Sequence, residues 1–270
     1  MMLRQEFEAF SGLILDLDGV IWVGERPIQE AVEAVRRLKE LGLKIMFVTN
    51  NSTRSRRDYE TRLRSLGLDV NVEEIMNSGY ATALLLREKY GGGSAYVVGE
   101  IGLVEELEGQ GLKVLTREEC WRDGADFVIV GMDREFNYWK IATSMRAIRH
   151  GALFVATNGD KTFPSEMGLL PGAGSMIAAI SAASGKEPDI VVGKPSSHIF
   201  DIALKKLGLR RDKVLVIGDR IDTDVEGARR AGMKSLLVLT GVTREEELRS
   251  SAIKPDFVLS SISEMFTRDP

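Results

Sequence analysis

The sequence predicts an α/β protein: a doubly wound parallel-sheet (Rossmann-like) core with a second α/β domain inserted into it. Three observations support this fold class. Short apolar segments such as Leu13–Leu17 have the length and composition of strands that are buried on both faces. They alternate with segments whose apolar residues recur at helical spacing, which is typical of a parallel sheet covered by helices. Glycine-containing joints divide this pattern into three parts, and polar groups end the strands of the first and third parts only.

Length and composition are those of an ordinary enzyme. The 270 residues are enough for two compact units, each with its own hydrophobic core. Hydrophobic residues make up 44% of the chain and charged residues 28%, and the net charge of -4 argues against a nucleic-acid partner. The single Cys120 cannot form an internal disulfide, and the N-terminal residues lack the pattern of a signal peptide. Because no apolar run approaches the ~18–20 residues of a membrane span, we expect a cytoplasmic protein with no membrane partner.

The first part of the chain contains two strand–helix pairs and a further helix. The predicted elements are a strand over 13–17, a helix over 28–41, a strand over 44–49, a helix from Ser52 or Thr53 to about Leu66, and a helix over 78–90. Gly42 and Gly67 stand at the usual stop positions of the first two helices. This βα rhythm is what a parallel sheet requires.

The other predicted elements lie on either side of a second joint. Between Gly91–Gly93 and Gly185–Pro188, we predict strands over 94–99, 112–115, 126–130 and 153–157, and helices from 102, over 138–150 and from about 175 to 184. After that joint, we predict strands over 189–193, 213–218, 234–239 and 256–259, and helices over 197–207 and 222–231. The joints therefore place an inserted domain at 89–186, and residues 1–88 and 187–270 together would form the core.

Two aspartates end the first predicted strand. Asp16 and Asp18 are two residues apart, so their like charges repel each other unless a cation or several donors face them. A divalent metal is the simplest reason for such a pair. The Asp-x-Asp-Gly pattern also opens calcium-binding loops, but such a loop needs Gly and Glu where this chain has Ile21 and Pro27. An Asp-rich turn without a metal is the structural alternative.

Four predicted core strands end in polar groups. These are Asp16 with Asp18, Thr49 with Asn50 and Asn51, Lys194, and Asp219 followed by Asp222 and Asp224. Because ligands of open parallel sheets bind outside the carboxyl ends of the strands, we expect these groups to converge. Carboxylates with an oxygen-binding cation, a hydroxyl and a lysine suit a phosphoryl group. For Asp222 we expect only a helix-capping role, and Trp22 either shapes the entrance of the site or packs in the core.

Four motifs, in order, resemble those of haloacid-dehalogenase-superfamily phosphatases. They are Asp-Leu-Asp-Gly-Val at 16–20, Val-Thr-Asn-Asn-Ser at 48–52, Gly-Lys-Pro at 193–195 and Gly-Asp-Arg-Ile-Asp-Thr-Asp at 218–224. The segment between the second and third motifs resembles the cap domains of subclass IIA, which includes p-nitrophenyl phosphatases, pyridoxal phosphatases and NagD-like proteins. Where that subclass usually reads Asn-Pro-Asp, this chain has Asn158-Gly159-Asp160. By the resemblance, this loop of the cap would face the leaving group of the substrate, so the difference leaves the identity of the substrate undecided.

The resemblance implies a reaction in two steps. Asp16 would attack phosphorus, and water would then hydrolyse the resulting aspartyl-phosphate. Asp18 would protonate the leaving oxygen and afterwards activate the water. Lys194 and a metal ion would offset the repulsion between Asp16 and the phosphoryl group. The implied catalytic residues are Asp16, Asp18, Thr49 and Lys194.

The resemblance also implies which residues bind the phosphate and the metal. For the phosphate, the matching residues are Thr49, Asn50, Asn51 and Lys194. For Mg²⁺, they are Asp16, the main-chain carbonyl of Asp18, and Asp219. Asp224 would lie near the metal-bound waters or orient Lys194.

The leading hypothesis is a Mg²⁺-dependent phosphomonoesterase for small phosphorylated metabolites. A phosphomutase or a dehalogenase with the same core is an alternative, although a dehalogenase needs neither the second acid at Asp18 nor a metal. A non-catalytic phosphate-binding protein is an alternative of another class. The inserted domain would be a cap that decides substrate size, with the two joints as hinges. Because relatives with such caps often pair through them, the resemblance also implies a homodimer.

Overall fold

The computed structural model describes residues 2–165 and 167–267. Its strands and helices are, in chain order, β1 (Gly12–Leu15), β2 (Trp22–Val23), β3 (Arg26–Pro27), α1 (Gln29–Glu40), β4 (Lys44–Thr49), α2 (Arg56–Ser65), β5 (Ile75–Asn77), α3 (Ser78–Tyr90), β6 (Ser94–Val98), α4 (Ile101–Gly109), β7 (Lys113–Val114), α5 (Arg117–Asp123), β8 (Phe127–Val130), α6 (Tyr138–Arg149), β9 (Leu153–Ala156), β10 (Thr162–Ser165), β11 (Gly168–Pro171), α7 (Ala173–Ser184), β12 (Ile190–Val191), α8 (Ser197–Leu207), β13 (Val214–Gly218), α9 (Glu226–Arg230), β14 (Lys234–Val238), α10 (Glu245–Ser250) and β15 (Phe257–Leu259). They form two compact units. The first unit consists of Met1–Thr49, Tyr59–Met76 and Lys194–Pro270, and the second of Asn50–Asp58 and Asn77–Gly193.

A six-stranded sheet with the order β15-β14-β13-β1-β4-β5 forms the centre of the first unit. β1 runs parallel to both β13 and β4, and β14 runs parallel to both β13 and β15. The chain adds strands on one side of β1 before the insertion and on the other side after it, so the direction of winding reverses next to β1. Right-handed crossovers then place helices on both faces of the sheet. The predicted doubly wound parallel sheet is therefore confirmed.

The strands of this sheet are buried on both faces. On one face, Leu13 and Leu15 of β1 lie in a cluster of buried side chains with Phe47 of β4 and Leu38 of α1. On the other face, Ile14 is buried as well, and α8 lies against β4. Burying one such side chain contributes about 1.5–3 kcal/mol. This two-sided packing holds β1 firmly and thereby fixes the position of the residues that follow it.

The second unit is built on its own sheet, with the order β12-β9-β8-β6-β7. The four pairings in this sheet are all parallel. Its hydrophobic core includes Val128 and Val130 of β8, Phe154 of β9 and Ile180 of α7. An antiparallel hairpin of β10 and β11 precedes α7. The inserted part of the chain is therefore an α/β unit with a separate core, as the sequence predicts.

The boundaries of the two units differ from the predicted ones. The strand predicted over 189–193 is β12, which pairs with β9 of the second unit and not with the core sheet. Helix α3 also belongs to the second unit, where it lies beside α4. Both joints, Gly91–Gly93 and Gly185–Pro188, consequently lie inside the second unit. The chain changes units after Thr49, Asp58, Met76 and Gly193. Sequence periodicity found these elements but could not assign them to a sheet, because strand pairing is decided by distant residues.

Most predicted helices and strands are present, and the differences concern short elements. The helix predicted from Ser52 or Thr53 begins at Arg56, where the Asp58 carboxylate accepts from both the N–H and the hydroxyl of Ser55. A π-helical turn over Ile221–Val225 precedes α9. The short elements β5, α5 and α10 and the β2–β3 and β10–β11 hairpins were not predicted, because so few residues show no clear period. No helix among the described residues combines the length and the apolar character needed to cross a membrane.

Candidate active site

The carboxyl ends of three strands carry predicted reactive groups in the first unit. Asp16 follows β1, Thr49 is the last residue of β4, and Asp219 follows β13. Because β1 lies parallel between β4 and β13, these residues emerge at the same edge of the sheet. Only 8% of Asp16, 3% of Thr49 and 1% of Asp219 is exposed. The strand ends thus deliver a hydroxyl and two carboxylates to a site with little access to water.

Lys194, the first residue after the insertion, joins this site through two ion pairs. Its Nζ lies 2.7 Å from Oδ1 of Asp16 and 2.7 Å from Oδ1 of Asp224. It also donates to the main-chain oxygen of Val48 at 3.4 Å. Lys194 and Asp224 are both buried, as are Asp16 and Asp219. The group therefore has one cation for three carboxylates, an excess of negative charge that a further cation would offset.

Burial shifts the acidity of these groups. It raises the pKa of Asp16 well above its ordinary value, although the Lys194 ammonium opposes this shift. Burial, together with the neighbouring Asp224 carboxylate, raises the pKa of Asp219 to about 7. Burial also disfavours the Lys194 ammonium, but Asp16 and Asp224 outweigh it and raise the pKa of Lys194 above its ordinary value. The lysine therefore stays charged, whereas the carboxylates need added positive charge to be ionised together.

The carboxylates of Asp16, Asp219 and Asp224 fit a bound metal ion. One oxygen from each lies within 4.8 Å of the other two. Oδ1 of Asp219 is buried and makes no hydrogen bond within the part of the chain that the structure describes. A buried carboxylate oxygen without a partner is costly unless a cation satisfies it. Oxygen ligands without His or Cys suit a hard ion such as Mg²⁺.

Two neighbouring loops approach Asp219 closely, and each contains a glycine. Gly19 has a φ of 80°, and a Cβ at Gly19 or at Gly241 would overlap the carboxyl group of Asp219. The Val242 N–H donates to Oδ2 of Asp219 at 2.6 Å. The Thr240 hydroxyl donates to the carbonyl oxygen of Gly19 at 2.5 Å, which ties the two loops together. This packing holds Oδ2 in place and leaves Oδ1 for a cation.

The metal cluster differs from the predicted ligand set in one carboxylate. Asp224, predicted only to orient Lys194 or to lie near metal-bound waters, contacts Lys194 directly and also belongs to the cluster. The Asp18 side chain is not part of the cluster among the described residues; its Oδ1 accepts from Nε1 of Trp22 at 3.0 Å. The prediction gave Asp18 a main-chain ligand and an acid role, and both stay predictions.

Asn50 and Asn51 directly follow Thr49 but belong to the second unit. Nδ2 of Asn50 donates to Oδ2 of Asp160 at 2.9 Å. Oδ1 of Asn51 accepts from the N–H of Thr53 at 2.9 Å and from its hydroxyl at 2.8 Å. The Asn51 contacts form a local turn of the kind that Asn side chains often make. A phosphate-binding role of Asn50 and Asn51 stays a prediction.

Sequence reasoning missed the residues that hold Asn50. Its carbonyl oxygen accepts from the hydroxyl of Ser78 at 2.5 Å and from Nδ2 of Asn158 at 2.8 Å. The N–H of Asp160 in turn donates to Oδ1 of Asn158 at 3.1 Å. The 158–160 segment, expected only to face the substrate, therefore also holds the residue next to Thr49. Buried Ser78 and Asn158 are polar residues whose burial the sequence does not show.

Asp222 was expected to cap a helix and to take no part in the site, but the residue in the capping position is Arg220. It lies inside the π-helical turn, and Arg220 donates to its two carboxylate oxygens at 3.0 and 2.8 Å. Its side chain is 69% exposed, so this ion pair contributes little to stability. It does not take part in the buried group around Lys194.

The chain is similar in sequence and in structure to known hydrolases. Residues 13–113 match the family model of haloacid dehalogenase-like hydrolases, and residues 191–265 match a HAD-hydrolase-like model. The chain is 38% identical over 257 residues to the 5'-nucleotidase YutF of Bacillus subtilis, covering 95% of this chain and 98% of YutF. The structure of a p-nitrophenyl phosphatase from Archaeoglobus fulgidus is similar, with a TM-score of 0.89, 44% identity, and coverage of 95% of this chain and 98% of that one. The glycerol phosphate phosphatase of Mycobacterium tuberculosis, solved in complex with calcium, has a TM-score of 0.87, 33% identity, and coverage of 97% and 76%.

Proposed function

The chain belongs to the haloacid dehalogenase-like hydrolase family and is a phosphatase, and we propose that it is a Mg²⁺-dependent phosphomonoesterase that works through an aspartyl-phosphate at Asp16. The observation that carries this proposal is the buried Lys194, which contacts Asp16 and Asp224 at 2.7 Å each. A lysine in this position favours the ionised form of a carboxylate that burial disfavours, and a bound cation would favour it further. An ionised, poorly hydrated carboxylate is what a nucleophile for phosphorus must be.

The first step forms a bond between a carboxylate oxygen of Asp16 and phosphorus, and the bond from phosphorus to the ester oxygen breaks. The phosphoryl group is itself an anion, so its approach to Asp16 needs compensating charge. Lys194 supplies one positive charge from within the chain. The hydroxyl of Thr49, at the end of β4, would donate a hydrogen bond to a phosphoryl oxygen, and Asn50 and Asn51 would add amide donors.

Asp18 would supply the proton that the departing ester oxygen takes up. In the second step, the same carboxylate would remove a proton from water as the water attacks phosphorus. This step releases inorganic phosphate and restores both Asp16 and Asp18. A positioned acid or base of this kind typically contributes about 10² to 10⁴ in rate.

Mg²⁺ would be held by Asp16 and Asp219, with the main-chain carbonyl of Asp18, and Asp224 would complete the surrounding acidic group. When bound, the ion would supply positive charge that lets these carboxylates and the phosphoryl group be negative together. The orphaned Oδ1 of Asp219 supports such a site. The calcium in the Mycobacterium tuberculosis structure also supports a divalent cation in this family.

The substrates would be small phosphate esters, because the relatives are named for a nucleotide, p-nitrophenyl phosphate and glycerol phosphate. We also propose that the second unit acts as the cap that selects among such esters. Asp16, Asp18, Lys194 and Asp219 all lie in the first unit, so the groups that would react with the ester or bind the metal do not depend on the residues of the inserted segment. A cytoplasmic location and a homodimer through the cap stay predictions.

The test is the Asp16→Asn variant, assayed for phosphate release from a panel of nucleoside monophosphates, p-nitrophenyl phosphate and glycerol phosphate, with Mg²⁺ and with a chelator. Asn keeps the size of the side chain but cannot attack phosphorus, so kcat should fall by about 10⁴-fold or more on every substrate. The parent protein should lose its activity in chelator and regain it when Mg²⁺ is added.

Asp201→Asn is the matched control, because Asp201 is exposed and pairs only superficially with Arg211 at 3.0 Å. This variant should keep the parent's kcat. The assignment of Asp16 as the nucleophile fails if kcat of Asp16→Asn is within about tenfold of the parent's value. Such a rate would be higher than expected for an enzyme without its nucleophile. Full turnover by protein shown to be metal-free would refute the Mg²⁺ requirement.

A further inference from the structure

Trp22 donates its one side-chain hydrogen bond to Asp18, the predicted general acid. Its ring is completely buried, with 0% exposure, yet its Nε1 lies 3.0 Å from Oδ1 of Asp18, an exposed residue. An indole N–H can only donate. Oδ1 of Asp18 therefore accepts this hydrogen bond. Because the carbonyl oxygen of a carboxylic acid accepts better than its hydroxyl oxygen, this contact favours Oδ2 as the oxygen that carries the proton.

The indole is held on its ring faces by residues of α2. Tyr59 stacks parallel to it, with the ring planes at 1° and the centroids 6.4 Å apart. The guanidinium of Arg62 lies 4.0 Å from the ring centroid. Arg62 also donates to the carbonyl oxygen of Gly24 at 2.5 Å, in the turn between β2 and β3. The ring of Trp22 is thus clamped between the α2 helix and the hairpin that contains it.

The backbone between Asp18 and Trp22 is fixed as well. The N–H of Gly19 donates to the carbonyl oxygen of Trp22 at 2.6 Å, and the N–H groups of Ile21 and Trp22 donate to that of Leu17 at 2.8 and 3.3 Å. The main chain is thus closed into a tight loop. The indole hydrogen bond adds a restriction on rotation about the side-chain bonds of Asp18.

We propose that Trp22 is a positioning residue for the general acid: it orients the Asp18 carboxyl group so that the proton on Oδ2 faces the ester oxygen that leaves. This inference rests on the proposed role of Asp18 as the proton donor. It predicts that the loss of the indole N–H matters only when the leaving oxygen needs a proton. An alkoxide leaving group needs one, whereas p-nitrophenolate is stable enough to leave without it.

The test compares Trp22→Phe with the parent, using kcat/KM for glycerol phosphate and for p-nitrophenyl phosphate. Phe keeps an aromatic ring next to Tyr59 and Arg62 but has no N–H. The parameter kcat/KM includes only the steps up to phosphoryl transfer, so slower hydrolysis of the aspartyl-phosphate does not obscure the comparison. For glycerol phosphate, kcat/KM of the variant should be about tenfold lower than that of the parent, which is part of the contribution of a general acid. For p-nitrophenyl phosphate, kcat/KM should be lower by about twofold or less.

Trp121→Phe is the matched control, because Nε1 of Trp121 also donates a hydrogen bond, to the Thr143 hydroxyl at 2.9 Å, with no link to Asp18. This control variant should change kcat/KM equally for both substrates or leave it unchanged for both. Asp18→Asn is the reference and should show the same selectivity as Trp22→Phe, but larger. Should Trp22→Phe fail to fold, Arg62→Leu frees one face of the ring and should show the same selectivity in weaker form.

Each outcome has a distinct meaning. The inference is overturned if Asp18→Asn discriminates between the two substrates but Trp22→Phe lowers kcat/KM equally for both. Trp22 is then only a packing residue. Arg62→Leu is judged in the same way if it replaces Trp22→Phe. If Asp18→Asn does not discriminate, the proposed acid role of Asp18 is wrong and the inference falls with it. Selective loss in both variants, with an inert Trp121→Phe, supports the role of Trp22.

Discussion

Replacing Lys194 by Met tests the charge balance of the buried site most directly. Met has nearly the same length as Lys but no charge, so the change leaves Asp16 and Asp224 buried without their cation. Each contact of 2.7 Å attracts by about 6 kcal/mol at an effective dielectric constant of about 20. Removing the charged groups from water offsets much of this attraction, and breaking a buried pair costs about 3–5 kcal/mol. We therefore expect the free energy of unfolding of the metal-free protein to fall by about 3–5 kcal/mol.

The size of this loss should depend on pH and on Mg²⁺. The loss arises from buried carboxylates that must be negative, so it should shrink as the pH falls and Asp16 and Asp219 take up protons. Burial raises the pKa of Asp16, which Lys194 contacts, well above its ordinary value, so this change should occur above the usual titration range of an aspartate. Mg²⁺ should also restore part of the stability, because it supplies the missing positive charge. The loss of a charged donor at the phosphoryl site should lower kcat by about 10² to 10³.

Denaturant unfolding in chelator, followed by circular dichroism, measures this loss, and Lys206→Met provides the control. Lys206 pairs with Glu73 at 2.6 Å, but Glu73 is 64% exposed, and exposed pairs contribute about 0–1 kcal/mol. Lys206→Met should therefore be nearly as stable as the parent and fully active. A Lys194→Met protein as stable as Lys206→Met at alkaline pH, with unchanged kcat, would refute the role we assign to the buried ion pairs.

Two further predictions follow from the site and its surroundings. In the metal-free protein, the stability contributed by Asp219 is fully present below its unfolded pKa and is lost as the pH rises to about 7, so Mg²⁺ should raise Tm more at about pH 8 than at about pH 5.5. A Tm shift that does not change with pH would contradict this. The hydrogen bond between Asn50 and Asp160 should give a coupling energy of about 1–2 kcal/mol in a double-mutant cycle with Asn50→Ala and Asp160→Ala. Additive losses of stability would show that this contact does not hold the segment after Thr49.

The arrangement of the first unit could be predicted in some detail because its determinants are local. Residues 45–48, for example, are apolar over the length of a strand and are followed by the polar Thr49. The sequence therefore shows both the strand and the functional group at its end. The parallel order of such strands then brings their ends to one edge of the sheet. This is why Asp16, Thr49 and Asp219 could be predicted to meet at one edge of the sheet. Lys194 was predicted to end a fourth strand of the same sheet, but that strand, β12, pairs with β9 of the second unit.

Contacts within the second unit could not be predicted in this way. The pairing of β12 with β9 and the hydrogen bonds of Asn50 to Asp160 join residues far apart in the chain. The glycines of the two joints resembled hinges, yet both joints lie inside the second unit. Glycine-rich composition indicates only that the backbone is locally flexible. The boundary between the units depends instead on which sheet each strand joins.

The sequence by itself determined the fold class and the residue types of the site, because hydrophobic period and motif spacing are properties of neighbouring residues. Only the tertiary structure decided the charge balance, namely that Lys194 contacts two carboxylates, that Asp224 joins Asp16 and Asp219, and that Oδ1 of Asp219 lacks a hydrogen bond among the described residues. It also decided that Trp22 donates to Asp18. Burial and distance set the strength of such interactions, and both arise when separate segments of the chain pack together.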